Sequence, residues 1–192
     1  MGFNFYKSKV KILHIEDWFH PEMGYQLNFI SKYHSPIDEM IILTSNSFLL
    51  WSDSDANNIQ NLDQEFELKN NVKIIRLPVK FARPRKYNIW LCNLKKTILE
   101  INPDVIYFHG FETITSFRIM FSSLSRKLKI FSDTHTLLNQ FDNSFSTKMY
   151  LFFVKNFLAK RANKRNLKIF STTLENKNIL IEKFGINPEN VF

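Results

Sequence analysis

The chain has 192 residues, 44% of them hydrophobic and 23% charged, and twenty are phenylalanine. A chain of this length buries roughly 70% of its extended surface without disulfide or metal staples, and this composition excludes disorder, collagen and coiled coil. Twenty-six basic against eighteen acidic residues give a formal net charge of +8, which points to an anionic partner: nucleic acid, acidic lipid or a phosphate-bearing ligand. The lone Cys92 supports neither an internal disulfide nor a zinc site, and reads as a small apolar filler within a helical pattern over 87–101. The N-terminus has basic residues but no apolar run suited to a signal peptide. The longest uninterrupted apolar stretch, 149–154, is far short of the roughly 20 residues a membrane span needs. A cytoplasmic location, with attachment to the cytosolic face of a membrane as the variant of it, is the expectation.

In chain order, VKILHI at 10–15 reads as a buried strand, followed by a loop over 16–23 and a helical pattern from 24 to 33. EMIILT at 39–44 is a second strand. The stretch 45–71, rich in Asn, Asp and Ser, is expected to be a large loop, part of it a functional or mobile flap. VKIIRL at 72–77 is a third strand, ended by Pro78. A basic loop at 80–86 leads into a helix through Ile101, stopped by Asn102-Pro103. DVIYF at 104–108 is a fourth strand, with a helix from 112 to 126 behind it. KIFS at 129–132 and LKIFS at 167–171 are the fifth and sixth strands, separated by the longest helical pattern, 144–163. A last helix over 173–184 ends at Gly185, placed as a left-handed stop.

Six apolar strands alternating with helices predict one α/β domain over 1–192: a doubly wound, Rossmann-like, mostly parallel sheet with helices on both faces. Ligands of such sheets bind beyond the carboxyl ends of the strands, where strand order reverses. The unusual polar residues fall there: His20 and Gly24 after the first strand, His109 after the fourth, Asp133 and His135 after the fifth. His14, inside the first strand, and His34, near a helix end, read as structural.

The first loop, His20-Pro21-Glu22-Met23-Gly24-Tyr25-Gln26, joins a strand to a helix N-terminus, where free N–H groups favour an anion. With one glycine it forms neither a dinucleotide fingerprint nor a Walker loop, so a nicotinamide dehydrogenase or P-loop ATPase is not expected. No Gly-x-Ser-x-Gly elbow or His-Glu-x-x-His is present either. Gly110 directly after His109 lets another group approach the backbone. Asp133 and His135 share one side of an extended segment. They suit an imidazole oriented by a carboxylate, half a metal site, or a satisfied hydrogen bond. Two alternative functions stay open: a metal-dependent hydrolase using His20, His109, Asp133 and His135, and a non-catalytic module binding nucleic acid or another anion through its charge.

Five stretches carry a resemblance to a known family: KILHIEDWFHPEMGYQLNFISK, NVKIIRLP, INPDVIYFHG, KIFSDTH and FSTTLENKNILIEKFGINPENVF. In that order they resemble the N-terminal, acceptor-side domain of a family-four, retaining glycosyltransferase with two Rossmann domains (GT-B). The resemblance implies transfer of a sugar from a nucleotide-sugar donor to a glycan or lipid-linked acceptor, as in cell-envelope biosynthesis, with no cofactor or metal. It implies a donor-binding C-terminal domain outside these residues, and an isolated chain without activity. His135 would lie beside the transferring sugar, with Asp133 orienting that region. Gly24, with Tyr25 and His20, would face the donor phosphates and acceptor. His109, Gly110, Thr172, Thr173 and Glu175 would line the acceptor side. Where many relatives have two adjacent glycines, the earlier position here is Met23.

Between Asp142 and Glu175 the sequence has seven Lys/Arg and no acid. Lys160, Arg161, Lys164 and Arg165, beside the apolar run 149–154, are expected to face an anionic membrane. Nucleic acid is the weaker partner for them, because the interleaved aromatics recur at helical spacing.

Overall fold

A computed structural model describes residues 9–24, 26–47, 53–83, 88–134 and 144–192. Two expected site residues, Tyr25 and His135, lie outside the described residues.

All six expected strands form one parallel sheet: β1 (Lys11–Ile15), β2 (Glu39–Ser45), β3 (Val72–Leu77), β6 (Val105–Phe108), β7 (Lys129–Thr134) and β8 (Lys168–Ser171). Their order is β3-β2-β1-β6-β7-β8, so the winding reverses between β1 and β6. Parallel strands buried on both sides need apolar residues at both parities, and β2 shows this with Met40, Ile41, Ile42 and Leu43 all at most 3% exposed.

Each face has its own core. On one, α1 (Gln26–Tyr33) and α2 (Asp53–Asn70) pack through Leu27 and Phe66 against Met40, Ile42 and Val72. On the other, Leu13, Ile15, Leu43, Ile106, Phe108 and Ile169 meet α3 (Leu94–Ile101), α4 (Ile114–Met120) and α5 (Leu124–Lys127). The same core takes in a long helical run: α6 (Phe145–Phe153), a π-helical stretch Val154–Ala159, and α7 (Lys160–Lys164). It also includes Ile179, Leu180 and Phe184 of the π-helical stretch Ile179–Phe184, which continues α8 (Leu174–Asn178). Gly185 ends that run at φ 76°, the left-handed stop its position implies.

Three expectations are corrected. The polar segment 45–71 is not a loop for most of its length, because α2 occupies Asp53–Asn70. Its signal is sparse: Ile59 and Phe66, seven apart, are its buried apolar residues among those whose side chains are described. The polar face does structural work, since Asp63 takes a two-pronged ion pair from Arg76 of β3 (2.6 and 2.8 Å). Arg76 also donates to the carbonyls of Phe19 and Ser45, so α2 holds the loop after β1 in place.

The basic loop and the start of the expected 87–101 helix form instead an antiparallel hairpin of β4 (Val79–Arg83) and β5 (Asn88–Leu91). Ile89 and Leu91 are fully buried while Trp90 is 37% exposed, an alternation of period two that places a strand there. Asn93 at φ 54° then turns the chain into α3, and Cys92 lies in that turn, half-buried, rather than in a helix. The expected 112–126 helix is broken into α4 and α5 at 121–123, where Ser122 bonds back to the Ile119 carbonyl.

Candidate functional site

The carboxyl ends of β1, β6 and β7 meet at the switch point, and the register decides what gathers there. Tyr107 pairs with His14 across β1 and β6, and Phe108 with Ser132 across β6 and β7. One residue beyond those pairs, His109 and Asp133 come side by side. Asp133 is fully buried and both of its oxygens are used. Oδ2 lies 2.7 Å from Nδ1 of His109, and Oδ1 accepts the Gly110 N–H at 3.0 Å. The carboxylate therefore fixes a proton on Nδ1 of His109.

The other nitrogen of His109 is also engaged. Its Nε2 lies 3.1 Å from Nδ1 of His14, and the two rings stack at 5.4 Å. Burial, reinforced by His109, pushes the His14 imidazole down to about 3, so it stays neutral. One proton serves both nitrogens of that contact. Tyr107 packs on both histidines, and burial followed by the Asp133 charge holds its phenol well above the usual range. His14 is thus part of the cluster rather than a bystander. His34 does serve the scaffold: its ring nitrogens bond to the carbonyls of Ser35 and Asn70.

Two acids that sequence reading passed over complete the floor. Asp17 is buried, accepts the Thr115 hydroxyl on Oδ1 (2.6 Å), and has no partner on Oδ2. Burial pushes its carboxyl up to about 7, against the opposing pull of Thr115 and Arg118. Glu16 is raised well above the usual carboxylate range by burial, then by the neighbouring charges of Asp17 and Asp133. The available signal was two acids following an apolar strand directly, where isolated charges are costly to bury.

The remaining expected residues have clear places. His20 is buried in the first loop, where Nδ1 accepts the Glu22 N–H at 3.2 Å. Asn28 of α1 donates to the carbonyls of His20 and Pro21, bracing that loop. Gly24 follows at φ 68°, with open space where a side chain would project. After β8, the Thr173 hydroxyl caps α8 by accepting the Asn176 N–H, and Thr172 accepts from the Asn176 amide. Glu175 is exposed in the first turn of α8.

The basic residues divide. Lys160 and Lys164 are exposed, but Arg161 donates to the Met120 carbonyl and lies over Phe121, and Arg165 is half-buried. Among the described residues, no group of three or more His, Cys, Asp or Glu is placed to hold a metal ion. His109 shows why: Asp133 and His14 occupy both of its nitrogens.

Gly110 sits at φ 85°, and a Cβ there would fall 2.8 Å from Cγ2 of Thr113. Gly110→Ala is expected to lose about 1–3 kcal/mol through backbone strain and that clash. An unchanged urea midpoint would show that the turn relaxes freely.

No family model matches the sequence, and no match was found among the curated proteins. The fold matches a glycosyltransferase from Rickettsia africae ESF-5 at TM-score 0.57 and 14% identity, over 96% of this chain and 42% of that one. It also matches Anabaena HepE in complex with UDP and glucose at TM-score 0.59 and 13% identity, over 95% of this chain and 43% of that one. The likeness is one of fold, and the chain spans a little over two fifths of each neighbour's length.

Proposed function

We propose that this chain is the N-terminal, acceptor-side domain of a nucleotide-sugar-dependent glycosyltransferase of the GT-B kind. One observation carries the reading: nearly the whole chain superimposes on less than half of each of two glycosyltransferases. The second of these holds UDP and glucose, which supports a nucleotide sugar as the donor class. Family-four membership and retention of configuration rest on the sequence resemblance and belong to the same proposal.

In this reading the Gly24 turn and the start of α1 face the donor phosphates. His109 and Gly110 form the acceptor side, with Asp133 as a positioning residue and His135 beside the transferring sugar. Thr172 and Thr173 shape the neighbouring loop through their bonds to Asn176. No nucleophile is assigned and no metal is required. The donor-binding residues would come from outside these 192 residues, so holding both reactants together needs more than this chain. The engagement of both His109 nitrogens argues against the metal-dependent hydrolase.

The test is nucleoside diphosphate release from a panel of nucleotide sugars, by the 192-residue chain and by the product of its complete reading frame. The complete product is expected to turn over, and the chain alone is not. In the complete product, His135→Ala is expected to lower turnover by a few kcal/mol of transition-state stabilisation while leaving the melting temperature nearly unchanged. Turnover by the chain alone, or its tight stoichiometric binding of a nucleoside diphosphate, would overturn the division of labour. A complete product inert towards every nucleotide sugar would overturn the function.

A further inference from the structure

The long helical run Phe145–Lys164 packs on the sheet through one side only, with Val154, Leu158, Ala159 and Ala162 buried. Its outer side is apolar where a solvated helix would be polar. Phe145 is 79% exposed, and Met149, Phe152, Phe153 and Phe157 are each between 40% and 52% exposed. Steps of four, three or four, and four residues put them on one ridge along successive turns. The last three phenylalanines touch, with ring centroids 5.5–6.3 Å apart. From Phe145 to Phe157 the ridge rises 12 residue steps and extends about 18 Å.

The charge around this ridge has one sign. No acid occurs from Ser144 to Leu174, and Lys148, Lys155, Lys160 and Lys164 are all exposed. Arg161, Arg165 and Lys168 are held to the domain instead: Arg161 by Met120, Lys168 by Glu189 and Asn190, and Arg165 by its half-buried position. The exposed cations are therefore lysines beside a row of aromatics, and the ridge needs an apolar phase bordered by anions. We propose that this helix seats the domain on an anionic phospholipid bilayer, the ridge entering the headgroup boundary and the lysines meeting lipid phosphates. A nucleic acid would satisfy the lysines but leave the phenylalanines in water. A bilayer accepts both.

Cosedimentation with phosphatidylcholine vesicles of graded phosphatidylglycerol content tests this, using the full chain and two variants at exposed positions. One is Phe152→Ser/Phe153→Ser/Phe157→Ser, the other Lys148→Gln/Lys160→Gln/Lys164→Gln, with thermal melts confirming that both fold. The full chain is expected to partition onto anionic vesicles increasingly with phosphatidylglycerol. The lysine variant is expected to lose on the order of a hundredfold in partitioning at low salt. The phenylalanine variant is expected to lose roughly tenfold or more, and to lose the binding that survives high salt. Protein left in the supernatant at every composition would overturn the proposal. So would vesicle binding indifferent to the phenylalanines. A dimer in sedimentation velocity that the phenylalanine variant dissolves, without vesicle binding, would assign the ridge to a second copy of the chain. Oligonucleotide binding abolished by the lysine variant, again without vesicle binding, would assign the charge to nucleic acid.

Discussion

Asp133→Ala is expected to destabilise the chain by about 3–5 kcal/mol, since each buried donor left unsatisfied costs about 1–3 kcal/mol. The carboxylate is wholly buried and serves two donors, Nδ1–H of His109 and the Gly110 N–H. Truncation leaves both unpaired in the interior and removes the group that sets the His109 tautomer, which in turn sets the contact with His14. Asp133→Asn is expected to cost less, since its oxygen still accepts from one donor while its amide opposes the other. His109→Leu/Asp133→Leu is expected to cost less than Asp133→Ala, because the buried polar pair leaves together and what remains unpaired is the Gly110 N–H and Nδ1 of His14. Urea unfolding of the three variants measures the ordering. Asp133→Ala within about 1 kcal/mol of wild type would mean that the pair is not a brace.

That brace explains which parts of the site were legible in the sequence. Asp133 and His109 announced themselves as polar residues where apolar strands end. Their partnership with His14 depends on register between β1 and β6, which lie some 90 residues apart in the chain, and nothing local encodes it. His14 therefore looked like one polar residue in an apolar run. Asp17 and Glu16 were visible as a pair of acids but belonged by position to an ordinary loop start. The burial of Asp17 comes from what covers it: Thr115 of α4 bonds its carboxyl, and Ser45 of β2 bonds its carbonyl.

The sheet was far more legible than its connections. Each of the six parallel strands carries a short run of aliphatic and aromatic residues, because strands covered on both faces need apolar side chains at both parities. α2 was missed for the opposite reason. It touches the sheet through few apolar residues, and Asp63 and Glu67 make its other contacts to β3 by ion pair and hydrogen bond. The hairpin was missed because Leu91, Leu94 and Ile98 fall at helical spacing, and only the left-handed turn at Asn93 separates strand from helix. Asparagine marks such breaks repeatedly, at Asn71, Asn93, Asn102 and Asn166, all with φ near 50°. An isolated asparagine after an apolar run is a weak signal of this kind.

The buried groups around β1 make the stability of the chain depend on pH in opposing ways. Asp17 titrates at about 7 when folded, against an ordinary value of 3.8, because burial disfavours its charge. Between those values the folded state holds a proton that the unfolded state has released, so stability is full below about 4 and is lost as pH rises through 7. Glu16, raised by burial and by Asp17, acts in the same direction. His14 does the reverse: lowered to about 3 from 6.5, it contributes stability above 6.5 that is lost as pH falls. Each group carries about 1.4 kcal/mol per pH unit inside its window. Asp17 and His14 nearly cancel between about 4 and 6.5, so the upward shift of Glu16 sets the sign, and the wild-type melting temperature is expected to decline as pH rises from about 4 to 7. Asp17→Asn removes one carboxyl and should flatten the profile across that interval, whereas His14→Asn removes the opposing imidazole and should steepen the decline. Thermal melts of the three proteins between pH 4 and 8 decide it. Parallel profiles would show that these groups titrate alike in folded and unfolded chains, and that the floor of the cleft is open to water. Divergence in the stated order would establish a neutral, desolvated floor beneath the site, where a group developing charge is stabilised chiefly by what Asp133 has oriented.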